Sequence, residues 1–240
     1  MPEMGPHETD LFGESVSYEV RRSEEASEPR IDIDIHDVVV VLPSESQTDP
    51  ETLLAENAAW VVEKKHQYNS YREDAPERRF EPGTTFPYLG DSYEVVVDRR
   101  PSSDIDGDTF KLAEHHVERT SVKRALKTLY RRKARELFET RASQLADEMG
   151  VVYENIELRN QRTRWGSCST SGTLSLNWRL MMAPLSIVDS ILIHELAHLR
   201  EPNHTEAFWS LIAHHNPQYE EHAEWLEENS TRLIFSEEDL

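Results

Sequence analysis

The chain has 240 residues, 46 acidic against 26 basic, and a net charge of −20 with neutral histidines. Such a length builds one sizeable domain or two small ones without covalent staples, and a single cysteine, Cys168, excludes an internal disulfide. The opening MPEMGPHETD has neither a basic start nor an apolar stretch, and the longest aliphatic run, VVVVL at 38–42, is far too short to span a bilayer; the expectation is a cytoplasmic protein with no membrane contact.

Residues 1–14 read as a disordered tail. SVSYEVRR (15–22) and RIDIDI (30–35) alternate as half-buried strands do, and VVVVLP (38–43) follows after a short His36-Asp37 turn. TDPETLLAENAAWVVEKKHQY predicts one helix, capped by Asp49 with Pro50 in its first turn. Residues 70–90 carry Pro and Gly and read as loop; SYEVVVD (92–98) and TFKLA (109–113) read as strands around the turn SSDIDGD. A long helix is expected from about 117 to 148, ending at Gly150, then two strands, 155–165 and 173–180, about a Ser/Gly turn. Beyond Pro184 the pattern predicts helices over 187–200, 205–215 and 218–229. No internal repeat is legible. The expected fold class is α+β: a β-rich region 15–115, then a helical domain 116–240 that carries a β-hairpin.

Charge is unevenly placed. Val117–Arg141 has nine basic and three acidic residues, net +6, which leaves −26 on the rest. The basic block invites an anionic partner, a nucleotide or a nucleic acid. The acid elsewhere is expected to be a halophilic adaptation. Melting temperature should therefore rise strongly with KCl, because the Debye length shrinks from about 30 Å at 0.01 M to about 3 Å at 1 M. A flat melting temperature across that range would remove the halophilic reading.

The chemistry concentrates in SIVDSILIHELAHLREPNH, 186–204. Ser186 and Asp189 have capping-box spacing. Val188, Ile191, Leu192, Ile193, Leu196, Ala197 and Leu199 make the helix apolar nearly all round, hence buried. His194, Glu195 and His198 share one arc, and a buried carboxylate beside two imidazoles needs compensation, which a divalent cation supplies. Histidines at i and i+4 project from one face and bind one Zn²⁺, while the Glu between them takes a proton from the water activated there. A third ligand is required. Glu201-Pro202 should end the helix and let the chain present His204. The six-residue offset from His198 matches the metzincin pattern, although Glu201 replaces the turn glycine and no Met follows Met182. The rival third ligand is a downstream glutamate, Glu220, Glu221 or Glu224; His204 is preferred.

RTRWGSCSTSGTLSLNWRLMMAP followed by HELAHLREPNHTEAFW resembles the YgjP-like metal-dependent hydrolases, a zincin-type family of metallopeptidases, and more distantly the SprT-like proteases. AAWVVEKK, FPYLGDSYEVVVD and YRRKARELFETRASQLADEMGV fit the same layout, so the resemblance covers about residues 15–230. It implies one zinc per chain on His194, His198 and His204, Glu195 as base, and a peptide or protein substrate.

Among the neighbours, Arg164, Trp165 and Arg179 are candidate substrate contacts, with Arg162 in the same basic cluster and Trp178 as core. Phe208 and Trp209 read as packing, and Cys168 as structural. Two other functions compete. A metal-dependent pyrophosphohydrolase would act on a nucleoside triphosphate such as UTP, but no Gly-rich phosphate loop supports it. A nucleic-acid-binding protein with a structural metal would need no Glu195.

Overall fold

Alternation of apolar and polar residues puts one face of each strand in a core and the other in water. The computed structural model describes residues 7–24, 26–33, 38–73, 76–160 and 164–236. The chain divides into two compact units, 1–75 with 237–240, and 76–236. The division falls at Ala75/Pro76, not near 115 as the composition suggested, because the second sheet packs with the long helix in one core. Among the described residues no helix is long and apolar enough to cross a membrane.

In the first unit β1 (His7–Leu11), β2 (Glu14–Ser23), β3 (Arg30–Ile33) and β4 (Val38–Pro43) form a sheet of order β1-β2-β4-β3. β2 and β4 run parallel and the outer pairs antiparallel. Val16, Tyr18, Val38, Val40 and Leu42 share a core with Leu54, Ala58 and Val61 of helices α1 (Pro50–Glu56) and α2 (Ala58–Glu73). Asp49 caps α1, accepting from the Thr52 amide at 3.0 Å. The single helix expected here breaks at Asn57, whose side chain donates to the Leu53 carbonyl at 2.8 Å and ends the first segment. β1 lies inside the expected tail; residues 1–6 and the His36-Asp37 turn fall outside the described residues.

The second unit opens with β5 (Thr85–Tyr88), β6 (Asp91–Asp98), β7 (Asp104–Asp106) and β8 (Thr109–Ala113), in the order β5-β6-β8-β7. β5 and β7 were hidden within expected loop and turn. Pro87 is tolerated because β5 is an edge strand. This sheet repeats the first one strand for strand: outer pairs antiparallel, central pair parallel. The first hairpin of each copy even turns through the same two left-handed residues, Phe12-Gly13 (φ 55° and 86°) and Leu89-Gly90 (φ 49° and 92°). Phe12 and Leu89 are the only non-glycine residues with positive φ among the described residues. The chain therefore does contain a structural repeat.

The second sheet is followed by α3 (Glu114–Arg119) and α4 (Val122–Met149). The helix expected from 117 is interrupted where Ser121 turns extended and caps α4, accepting from the Arg124 amide at 3.2 Å. Ten residues of α4, from Ala125 to Met149, are buried at three- and four-residue spacing, and Gly150 (φ 65°) ends the helix as expected. β9 (Asn155–Arg159), β10 (Gly166–Cys168) and β11 (Thr173–Asn177) make a third sheet, order β10-β11-β9. The hairpin is β10–β11, while β9 pairs with β11 in parallel, so the two long strands expected over 155–180 are three short ones. A 3-10 turn (Trp178–Met182) leads into α5 (Leu185–Ala197), then α6 (Glu206–His215) and α7 (Tyr219–Asn229).

Candidate metal centre

α5 is positioned by burial and by one ion pair. Ile187, Val188, Leu192, Ile193, Leu196 and Ala197 are buried in the core of the second unit. Arg141 of α4 grips Asp189 with two bonds, at 2.8 and 2.7 Å. A forked pair of this kind fixes orientation as well as distance. Asp189 is thereby used up, and the capping box read from Ser186 does not form. The helix starts two residues earlier, with Pro184 at its N-cap and no side-chain cap. On the other side the Leu89-Gly90 turn meets the segment before α5. The Leu89 amide donates to the Met181 carbonyl at 2.8 Å, and a Cβ on Gly90 would stand 3.1 Å from Pro184 Cγ.

His194 and Glu195 lie in the last turn of α5 and His198 is its C-cap. The chain then turns back, with the Arg200 and Glu201 amides bonded to the Ala197 carbonyl, and Thr205 caps α6 through the Phe208 amide. His204 stands in that connection. The result is a convergence of three imidazoles, His194, His198 and His204, whose available ligand atoms all lie within 4.8 Å of one another. Nε2 of His204 is 3.2 Å from Nε2 of His194. No carboxylate joins them among the described residues. Glu220 and Glu221 instead accept hydrogen bonds from Tyr219 and Gln218.

The electrostatics suit a cation. Burial first, then the His198 and His204 rings, pull the His194 pKa down to about 4. Burial also lowers that of His198. Its Nδ1 faces the Glu201 carbonyl at 3.3 Å, and a carbonyl can only accept, so the lone pair of His198 sits on Nε2. Aromatic rings hold the imidazoles. Phe208, fully buried, stacks on His198 at 4.7 Å and meets the other two edge-on. Trp209 stacks on His204 at 5.6 Å, with Tyr219 stacked behind it. Phe208 and Trp209 thus pack against the histidines themselves, which their sequence reading as plain core did not specify.

Glu195 is 5 % exposed. Burial raises its carboxyl pKa to about 7, opposed by the positive charge of Arg164. Arg164 is exposed beside this carboxyl and Trp165 is half-buried. Arg179 is in a different place: only 4 % exposed, bonded to Asn177 and lying over the Trp178 ring, it is a core residue and not a surface contact. Arg162 falls outside the described residues. Cys168 sits on β10, its thiol pKa pushed up by burial and then by Glu195, so it is not a thiolate at neutral pH.

Sequence reasoning missed Gly166. A Cβ there would lie 2.5 Å from Glu195 Oε1, 2.7 Å from Cγ and 2.9 Å from Cδ. Only glycine lets β10 pass against the carboxylate, and the only signal was its place in the RWGSC motif. Gly166→Ala should therefore displace Glu195. A misplacement of about 1 Å costs roughly 10²-fold in rate, so turnover should fall by that order while metal content stays unchanged. Full activity in the variant would show that the strand can move instead.

A trio of imidazoles able to hold one metal ion, the first of them followed in the chain by a buried carboxylate and carried by a helix held by core and ion pair, is the donor set a metal-dependent hydrolase needs. The chain is a member of the YgjP-like, metallopeptidase domain family, whose model matches residues 27–229. The crystal structure of the metallopeptidase zymogen of Pyrococcus abyssi abylysin is similar over 37 % of this chain and 90 % of that one, at 23 % identity and a TM-score of 0.35. No curated protein matches the sequence.

Proposed function

We propose that this chain hydrolyses peptide bonds with one zinc ion held by His194, His198 and His204 and with Glu195 as general base. The observation that carries the reading is the convergence of three imidazoles next to a buried carboxylate. The donor set fits zinc. Two nitrogens on one tetrahedral zinc stand roughly 3.3 Å apart, given bonds of about 2.0–2.1 Å, and His194 and His204 already stand at 3.2 Å.

A divalent ion supplies Lewis acidity, polarising a carbonyl oxygen and acidifying water. The residues do the rest. A carboxyl with a pKa near 7 is matched to receive a proton at neutral pH and give it back. Glu195 takes the proton of the attacking water as the new C–O bond forms. It returns that proton to the amide nitrogen as the C–N bond breaks. Arg164, whose charge acts on this carboxyl, and Trp165, its neighbour in the chain, are the side chains we assign to substrate contact. Among the described residues β10 has a partner strand on one side only, so its other edge can take an extended peptide.

The test is hydrolysis of a denatured protein by the zinc-loaded chain in high KCl, with a nucleoside triphosphate as the rival substrate. Peptide cleavage should vanish with a chelator and return with zinc. Release of pyrophosphate without any peptide cleavage would overturn the reading.

A further inference from the structure

The free edge of β10 has a charged end. The Asn177 amide donates to the Trp165 carbonyl and the Ser169 amide to the Thr173 carbonyl, both at 2.9 Å. In an antiparallel pair, residues bonded across the strands in this way alternate with residues whose N–H and C=O turn outward. Gly166 and Cys168, opposite Leu176 and Leu174, are the outward ones. Gly166 is also the residue packed against the Glu195 carboxylate. Arg164 stands two residues before it, and its carbonyl accepts from Asn177 Nδ2 at 3.5 Å. The Arg164 side chain is exposed, its charge acts on the Glu195 carboxyl, and it forms no ion pair among the described residues. Other cations of this unit are taken up by acids: Arg132 and Lys133 by Asp104 and Glu136, Arg135 by Glu139, Arg141 by Asp189 and Arg159 by Glu157.

We propose that Arg164 selects peptides that carry a carboxylate beside the bond to be cut. The inference rests on the peptidase reading above and names its substrate class. A peptide laid along the free edge bonds to Gly166 and Cys168, which brings its backbone to the strand that packs on Glu195. Successive residues of an extended chain advance about 3.3 Å. A substrate group one or two residues from the attacked carbonyl therefore comes within reach of a long side chain rooted two residues before Gly166. A guanidinium meets a carboxylate through two parallel N–H···O bonds, and such charge-assisted pairs are stronger than neutral ones. The long-range field works the other way. The chain carries −20, so it repels an acidic peptide and draws a basic one. A preference for acid thus has a local origin, and Arg164 is the cation placed to supply it. The carboxylate has two sources, an Asp or Glu side chain and the free C-terminus of the peptide, and the same guanidinium takes either.

The experiment measures kcat/KM of the full-length, zinc-loaded protein for four peptides that differ at one point. They are built around a bond that the protein cuts in a denatured substrate, mapped by mass spectrometry. Three are amidated at the C-terminus and carry Glu, Gln or Lys beside that bond. The fourth is the Gln peptide with its C-terminal carboxylate left free. A carboxylate peptide should exceed the amidated Gln peptide roughly tenfold, and which of the two does so tells a side chain from a chain end. Lys should be the poorest. Arg164→Gln should bring the carboxylate peptides level with Gln, and Arg164→Glu should turn the preference toward Lys. The influence of Arg164 on Glu195 is common to every peptide and cancels in these ratios, as does any loss of folded protein. Equal rates on all four peptides by the native chain, a native preference for Lys, or a carboxylate preference that survives Arg164→Gln would each overturn the proposal. Failure to cut any denatured protein would remove the peptidase reading itself, and the inference with it.

Discussion

Glu195→Gln should abolish peptide hydrolysis, by roughly 10² to 10⁴ in kcat/KM, and at the same time stabilise the metal-free protein above pH 7. The first effect follows because an amide cannot accept the proton of water. The second follows from burial. The Glu195 carboxyl titrates at about 7 in the fold against 4.5 in the open chain. The folded state therefore keeps a proton that the unfolded state gives up, and stability falls as pH rises from 4.5 to 7. Above pH 7 the loss is complete, on the order of 3 kcal/mol by the pKa difference. Glutamine is neutral throughout and escapes it. His194 acts in the opposite sense, since its value falls from 6.5 to about 4 and its destabilisation grows as pH drops through that window. That contribution is common to both proteins and cancels in their comparison. Melting in the presence of a chelator should thus show the variant several degrees more stable at pH 8 and nearly equal to native at pH 4.5. A gap that is the same at both pH values would refute the burial argument, and unchanged turnover would remove Glu195 from catalysis.

His204→Ala should cost the protein its metal. Removing a partner that merely orients a ligand weakens metal binding roughly 10–100-fold, and losing one of three ligands should exceed that. Glu221→Ala should have no effect, because that carboxylate is engaged with Gln218 on α7. Competition with a chromophoric chelator, backed by elemental analysis, measures both. Metal loss from Glu221→Ala and retention in His204→Ala would place the third ligand on α7. The aromatic stack gives an independent readout. Trp209 lies on the His204 ring, so its fluorescence should respond to zinc in the native chain and not in the variant.

The candidate site was far more legible than the fold around it. HELAH and His204 could be read because coordination demands few residue types at fixed spacing, and the buried stripe of α5 announced its own period. Helix ends marked by Asp49 and Gly150 were equally plain. Short strands were not. β1, β5 and β7 have three to five residues each, too few to show a period, and Pro87 disguised one of them. The parallel pairing of β9 with β11 is a non-local fact with no local signature. Gly166 escaped for the same reason: a missing Cβ has meaning only once the carboxylate it admits is known. The repeat of the two sheets was hidden because it lies in strand order and direction, and the sequences match only briefly at the turn, Phe12-Gly13-Glu14-Ser15 against Leu89-Gly90-Asp91-Ser92.

That pair of turns makes the chain its own reference experiment. Gly13 and Gly90 have nearly the same φ, 86° and 92°, so a side chain on either is forced into the same left-handed region. Among the described residues nothing lies within 4 Å of a Cβ at Gly13, and Phe12 beside it is 77 % exposed. At Gly90 the same atom presses on Pro184, where α5 begins. Alanine at each position therefore gives two perturbations whose local parts subtract. What remains is the coupling between a corner of the sheet and the helix that carries the histidines, isolated without reference to any other protein.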